Sequence, residues 1–210
     1  NNIYIKHLES GDTEQITTDG EINSIINGVT DWVYEEEFAF VRAFDWNADG
    51  NKIAFIRFDE SEVPEFSMDV YGSDLYQTQQ VFKYPKAGEA NSKVSLHLYD
   101  LDSGKLSEVK VNKSYNDFYI PRLKWTKDAD VLSAQYMNRH QNELDLWFIN
   151  AKTNTSDLVL AEKDDAYIDV TFNLTFLKDH SFIWTSEKDG FNHIYHYDKS
   201  GKLINQVTDG

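Results

Sequence analysis

No cysteine occurs in the chain, which excludes a disulfide framework, a thiolate metal site and a cysteine nucleophile. Basic residues are scarce, with 20 Lys and Arg against 36 Asp and Glu and a formal net charge of −16. Proteins that bind nucleic acid draw most of their affinity from Lys and Arg facing phosphates, so no nucleic-acid partner is expected and a cationic partner fits the charge better. Long apolar runs are missing as well. Nothing approaches the roughly 20 residues a membrane-spanning helix needs, and no signal peptide is visible. The chain begins Asn1-Asn2-Ile3 rather than with Met, as expected of a piece trimmed from a longer protein. What is present is 40% hydrophobic and 14% aromatic residues. That is enough to build a folded core despite the charge, on a scale of one substantial domain or a large piece of one.

The chain repeats itself. IYIKHLESGDTEQIT from Ile3 returns as LHLYDLDSGKLSEV from Leu96, LWFINAKTNTSDLVL from Leu146 and IYHYDKSGKLINQVT from Ile194. Each reads as a strand, a polar reversal built on Ser-Gly or Thr-Asn, and a second strand, because those reversal residues tolerate positive φ. A second unit precedes three of these hairpins: FDWNADGNKIAFIRF at Phe44, LKWTKDADVLSAQY at Leu123 and LTFLKDHSFIWTSEKDG at Leu174. Two such units make a four-stranded antiparallel meander. Successive hairpins from Leu96 start 50 and then 48 residues apart, a period of β-propeller blades. The fold class is therefore all-β, a propeller sector of about three and a half to four blades out of a ring that closes with 4 to 8. The interval from Ile3 to Leu96 is 93 residues and breaks the period, which places insertions at about 18–43 and 59–92.

Motifs for chemistry are absent. There is no G-x-S-x-G elbow, H-E-x-x-H pair, phosphate loop or dinucleotide fingerprint, so no catalytic residue, metal or cofactor is expected in this chain. His193 and His196 are three apart on an expected strand and face opposite ways, which reads as packing rather than metal ligation. The sequons at Asn112, Asn154 and Asn173 read as surface polar residues. The run Glu35-Glu36-Glu37, taken alone, reads as a solvated acidic turn.

The insertions carry a family likeness. NNIYIK, NGVTDWVYEEEF, ESEVP and YPKAGEAN, in this order and spacing, resemble the propeller domain of the dipeptidyl peptidase IV family, prolyl-oligopeptidase-type serine exopeptidases. The resemblance spans essentially the whole chain, residues 1–210, and is strongest from Asn27 to Asn91. It implies that the Asp31–Glu37 segment is a short helical insertion whose Glu36 and Glu37 bind the free amino terminus of a peptide substrate, with Glu35 the spare. An α-ammonium has three N–H donors and a positive charge, which two carboxylates together can satisfy.

The same resemblance implies that the Ser-Asp-His triad lies in an α/β-hydrolase domain beyond Gly210, absent from this chain. The parent would release N-terminal Xaa-Pro or Xaa-Ala dipeptides outside the cytoplasm, in the periplasm, the envelope or secreted. A β-hairpin arm over Glu65–Lys83, with its reversal at Tyr71–Asp74, would contribute to a homodimer. Two family features find no counterpart here. Phe40 stands where some members carry a small hydroxyl residue, and no aromatic-arginine pair is evident around Ile168 and Asp169. The alternative reading is a non-catalytic peptide- or protein-binding propeller module.

Overall fold

The computed structural model describes residues 1–210. In chain order the elements are β1 (Tyr4–Lys6), β2 (Thr13–Gln15), β3 (Ile25–Asn27), α1 (Trp32–Glu37), β4 (Phe44–Trp46), β5 (Lys52–Asp59), β6 (Glu65–Val70), β7 (Thr78–Lys83), β8 (Lys93–Asp100) and β9 (Lys105–Glu108). They continue as β10 (Phe118–Trp125), β11 (Val131–Asn138), β12 (Glu143–Asn150), β13 (Thr155–Lys163), β14 (Thr175–Phe176), β15 (Phe182–Ser186), β16 (His193–Tyr197) and β17 (Leu203–Gln206). The repeats of the sequence are these hairpins: β1–β2, β8–β9, β12–β13 and β16–β17. Two complete four-stranded meanders follow in order β10-β11-β12-β13 and β14-β15-β16-β17. The fold is all-β, of propeller-type blades, with one short helix and two separate two-stranded hairpins, β1–β2 and β6–β7.

Two compact units divide the chain, residues 1–43 with 55–95 and residues 44–54 with 96–210. In the second, the blades grade from inside to outside. The central strands β11 and β12 are buried along most of their length, polar Ser133, Gln135 and Asp145 included, while the outermost strands β13 and β17 are largely exposed. Polar side chains join neighbouring sheets where backbone pairing does not reach. The Trp125 indole N–H donates to the Asp45 carbonyl at 3.0 Å, the Asn47 amide donates to the Ala129 carbonyl at 3.0 Å, and the Trp184 indole N–H donates to Glu162 at 2.9 Å. Lys52, its side chain only 7% exposed, sits 3.2 Å from Asp130 and 3.9 Å from Asp100. A buried ammonium left without those carboxylates would be strongly destabilising. Gly201, at φ +84°, turns the β16–β17 hairpin where a Cβ would lie 1.9 Å from the Val159 carbonyl oxygen, so only glycine fits.

The first unit carries both unusual segments. Sequence periodicity places residues 18–43 outside the repeat, yet Ile25–Asn27 forms β3 and pairs with Asp59–Arg57 of β5, while β4 also pairs with β5. One blade edge is thus built from two short strands with an excursion between them. The excursion closes at its neck on Ile56 and on itself: the Gly28 N–H donates to the Ile56 carbonyl, the Ala43 N–H to the Gly28 carbonyl, and the Ile56 N–H to the Ala43 carbonyl, at 2.9–3.0 Å, and the pairing continues through a Val29↔Arg42 bridge and the Thr30 N–H donated to the Val41 carbonyl at 3.1 Å. Three residues are too few to show the alternation by which strands are read from sequence, which is why β3 is not evident there. The second segment holds the β6–β7 hairpin, in register from Glu65↔Lys83 to Val70↔Thr78. Its reversal spans residues 71–77, wider than the Tyr71–Asp74 turn expected from YGSD.

The histidines have structural partners. His193 is buried with Nδ1 3.1 Å from Thr208 Oγ1, and His196 Nε2 lies 2.9 Å from Ser181 Oγ. Asn154 occupies a positive-φ turn position and donates to the Glu108 carbonyl at 2.8 Å.

Candidate functional site

Helix α1 forms where the sequence supplies a cap and an inward face. Asp31, in extended conformation, caps the helix by accepting from the Tyr34 N–H at 3.0 Å, the preferred chemistry at this position. Val33 and Tyr34 point inward. Tyr34 is 2% exposed and packs edge-on or tilted against Phe58 at 4.8 Å, Phe38 at 5.1 Å and Phe40 at 5.9 Å between ring centroids. The helix stops at Phe38, followed by Ala39 at φ +55°, a left-handed position usually given to glycine. Phe40, where some members of the resembling family have a small hydroxyl residue, is part of this aromatic packing.

Glu35, Glu36 and Glu37 occupy the outward half of α1 and are all exposed. Their electrostatic positions differ. Glu35 falls in the first turn, where the positive end of the helix dipole favours a carboxylate, and so has a structural account. Glu36 and Glu37 end the helix with no basic residue in the last turn, where the dipole disfavours negative charge. The negative helix end and two carboxylates create one local field that an incoming cation relieves. Consecutive helical residues diverge by about 100°, so a shared ligand must lie beyond the helix surface, within reach of both flexible side chains.

Asp31 ties this helix to a distant segment. Its other carboxylate oxygen accepts from Ser92 Oγ at 2.5 Å. Burial raises the Asp31 pKa, an effect opposed by the hydrogen bonds from Ser92 and from the Tyr34 and Val33 amides. Glu60 is raised too, chiefly by burial and then by the charge of Asp31. For both acids the folded state holds its proton more tightly than the unfolded chain. Each therefore contributes most to stability on the acid side, and that contribution is lost as pH rises from the unfolded value through the raised folded one. Asp31→Asn keeps the cap, because asparagine caps as well as aspartate, and removes the titration. Urea unfolding between about pH 4 and 7 is expected to show the variant gaining on the wild type as pH rises. A difference independent of pH would show that the Asp31 carboxyl does not titrate in this way.

No aromatic-arginine pair was expected near Ile168 and Asp169, but the guanidinium of Arg122, on β10, lies 3.7 Å from the centroid of the Phe172 ring. The two residues belong to different repeats, so no local sequence signal links them.

Comparison with known proteins agrees with the architecture. A family model described as the dipeptidyl peptidase IV N-terminal region matches residues 1–210. A probable dipeptidyl-aminopeptidase B from Talaromyces marneffei is 32% identical over 92% of this chain and 24% of its own length. The crystal structure of dipeptidyl peptidase 4 from Porphyromonas gingivalis superposes with a TM-score of 0.95 at 43% identity, covering 100% of this chain and 30% of that one. A putative dipeptidyl aminopeptidase IV from Bacteroides ovatus shares the fold, with a TM-score of 0.81 at 23% identity over 99% of this chain and 33% of that one. The chain thus spans about a quarter to a third of the length of these relatives. With its blades, its capped acidic helix and a family match along its whole length, this chain belongs to the dipeptidyl peptidase IV N-terminal region family.

Proposed function

We propose that this chain is the substrate-anchoring part of a serine-type dipeptidyl peptidase that releases Xaa-Pro or Xaa-Ala dipeptides from peptide amino termini outside the cytoplasm. Glu36 and Glu37 hold the α-ammonium, and the Ser-Asp-His triad belongs to a hydrolase domain outside these residues. The observation that carries the reading is the placement of two exposed carboxylates at the negative end of a helix whose other face is locked into aromatic packing. A rigid mount matters here. Fixing the amino end at a set distance from the nucleophile makes the enzyme release dipeptides, a positioning effect rather than bond chemistry.

The division of labour is testable with a chromogenic Gly-Pro substrate. The 210-residue chain alone is expected to show no turnover, since the Ser181 hydroxyl beside His196 is buried and donates to Asp179 at 2.5 Å rather than facing a substrate as an activated nucleophile would, while the full-length protein cleaves the free-amino substrate and spares its N-acetylated form. Turnover by the purified chain that resists serine-directed reagents would overturn the assignment. Equal cleavage of both substrate forms would remove the ammonium contact. Binding without cleavage by the full-length protein would favour a peptide-binding module.

The β6–β7 arm extends the proposal to assembly. Tyr71, Leu75 and Tyr76 are 79%, 95% and 82% exposed at its tip, and a lone two-stranded hairpin is marginal in water. The reading gives it a two-fold partner in the full-length protein. Tyr71→Glu with Leu75→Glu is expected to produce monomers in sedimentation with folding intact. Dimers that persist at micromolar concentration would place the interface elsewhere.

A further inference from the structure

The Glu-bearing helix and the root of the arm both pack against one side chain, Tyr84. Tyr84, half-buried just after β7, packs edge-on against Trp32, the first residue of α1, with ring centroids 4.4 Å apart. On its other side lie the rings at the root of the arm, Phe66 at 5.6 Å and Phe82 at 6.4 Å, themselves 5.8 Å apart across the hairpin. The root is fixed in place by polar contacts. The Tyr84 N–H donates to the Pro64 carbonyl at 2.9 Å. Lys83 Nζ donates to the Val63 carbonyl at 2.9 Å and the Ser61 carbonyl at 3.3 Å, with Glu65 at 3.7 Å.

The six residues of α1 are far below the length at which a helix is stable alone, so its orientation is set by what it packs on. Tyr34 and the Asp31–Ser92 hydrogen bond hold its buried face and its start. Trp32 lies on another side, and there the ring packed against it is Tyr84. Edge-to-face pairs at this separation contribute beyond the area they bury.

We propose that Tyr84 is a positioning residue for Glu36 and Glu37, joining the helix that carries them to the root of the arm, so that ordering of the arm steadies the amino-terminus contact. This rests on the reading of that Glu pair as the ammonium site. Linkage makes the effect reciprocal: whatever orders the arm favours substrate anchoring, and a bound substrate amino group favours an ordered arm.

Amide hydrogen exchange on the full-length protein tests the joint without substrate. Tyr84→Leu is expected to speed exchange at Glu35–Phe38 by about tenfold, from loss of one aromatic pair, while the amides of β10–β13 keep their rates. Tyr84→Phe retains the ring and the protection. Phe66→Ala, at the root, acts in the same direction as Tyr84→Leu, whereas Leu75→Ser, at the tip, leaves α1 untouched. In the full-length protein Tyr84→Leu raises KM for a free-amino substrate more than it lowers kcat, and Tyr84→Phe restores both. Unchanged α1 exchange in Tyr84→Leu, or acceleration shared equally by β10–β13, overturns the proposal, the second outcome meaning that Tyr84 only stabilises the fold. If α1 responds as expected but Glu36→Gln and Glu37→Gln leave the kinetics intact, the mechanical joint stands and the ammonium reading falls.

Discussion

Glu36→Gln and Glu37→Gln, each in the full-length protein, are expected to lower kcat/KM for free-amino dipeptidyl substrates by about 10²-fold or more, the equivalent of roughly 3 kcal/mol lost with a charge-assisted contact. The substitution preserves size and one acceptor oxygen, so the loss reports charge rather than packing. Glu35→Gln is the internal control, since a first-turn carboxylate serves the helix and not the ligand. A unit charge pair about 4 Å apart at an effective dielectric of ~20 attracts by on the order of 4 kcal/mol before desolvation. The expected loss therefore lies within what one carboxylate can supply. Unaltered steady-state kinetics in both variants would remove the pair from the site.

Tyr34→Ala should have the largest effect on stability. The ring is 2% exposed and touches three others, and removing a buried aromatic of this kind costs roughly 3–5 kcal/mol. Because the neighbours it leaves, Phe38, Phe40 and Phe58, belong to the excursion and to β5, the loss should appear first as fast amide exchange across residues 30–42 and then as a lowered urea midpoint. Tyr34→Phe tests whether the ring or the hydroxyl carries the effect. A midpoint within experimental error of wild type in Tyr34→Ala would show that the excursion does not depend on this packing.

The blades were legible because each repeat is a complete supersecondary unit: hydrophobic alternation, a turn residue that accepts positive φ, and a fixed period. The strands at Leu96, Leu146 and Ile194 could be read from those cues alone. The helix could not. Trp32–Glu37 sets a β-branched residue and two aromatics against three helix-favouring glutamates in six positions, so local preference does not decide its state. Its existence depends on the Asp31 cap and on Tyr34 entering a cluster assembled from β5 and the excursion. Without the family resemblance, three adjacent glutamates were indistinguishable from a solvated turn. Only the helix frame separates Glu35 from its neighbours by their places in the dipole. Contacts such as Trp32 with Tyr84 and Arg122 with Phe172 join residues far apart in the chain, so they leave no trace in any short window. The brief β3 strand escaped for the opposite reason, having too few residues to show a period.

The neck at Ile56 has a consequence for change over time and by design. Because the chain leaves at Gly28 and returns at Ala43 onto the backbone groups of Ile56, the blade meets the excursion there and at its inward side chains, Tyr34 on Phe58 and Asp31 on Ser92, while the outward positions of the loop do not touch it. Closing a loop twice as long costs only about 0.6 kcal/mol more. The excursion is in effect a socket with a fixed inner wall: its outward residues can change in charge and number without shifting β4 or β5 as long as Asp31 and Tyr34 keep their contacts with Ser92 and Phe58. The residue types displayed there are free to diverge while the blade beneath them stays constant. Grafted recognition segments on this scaffold should accordingly be bounded at Gly28 and Ala43, where the hydrogen bonds that seat them already exist, and should retain Asp31 and Tyr34.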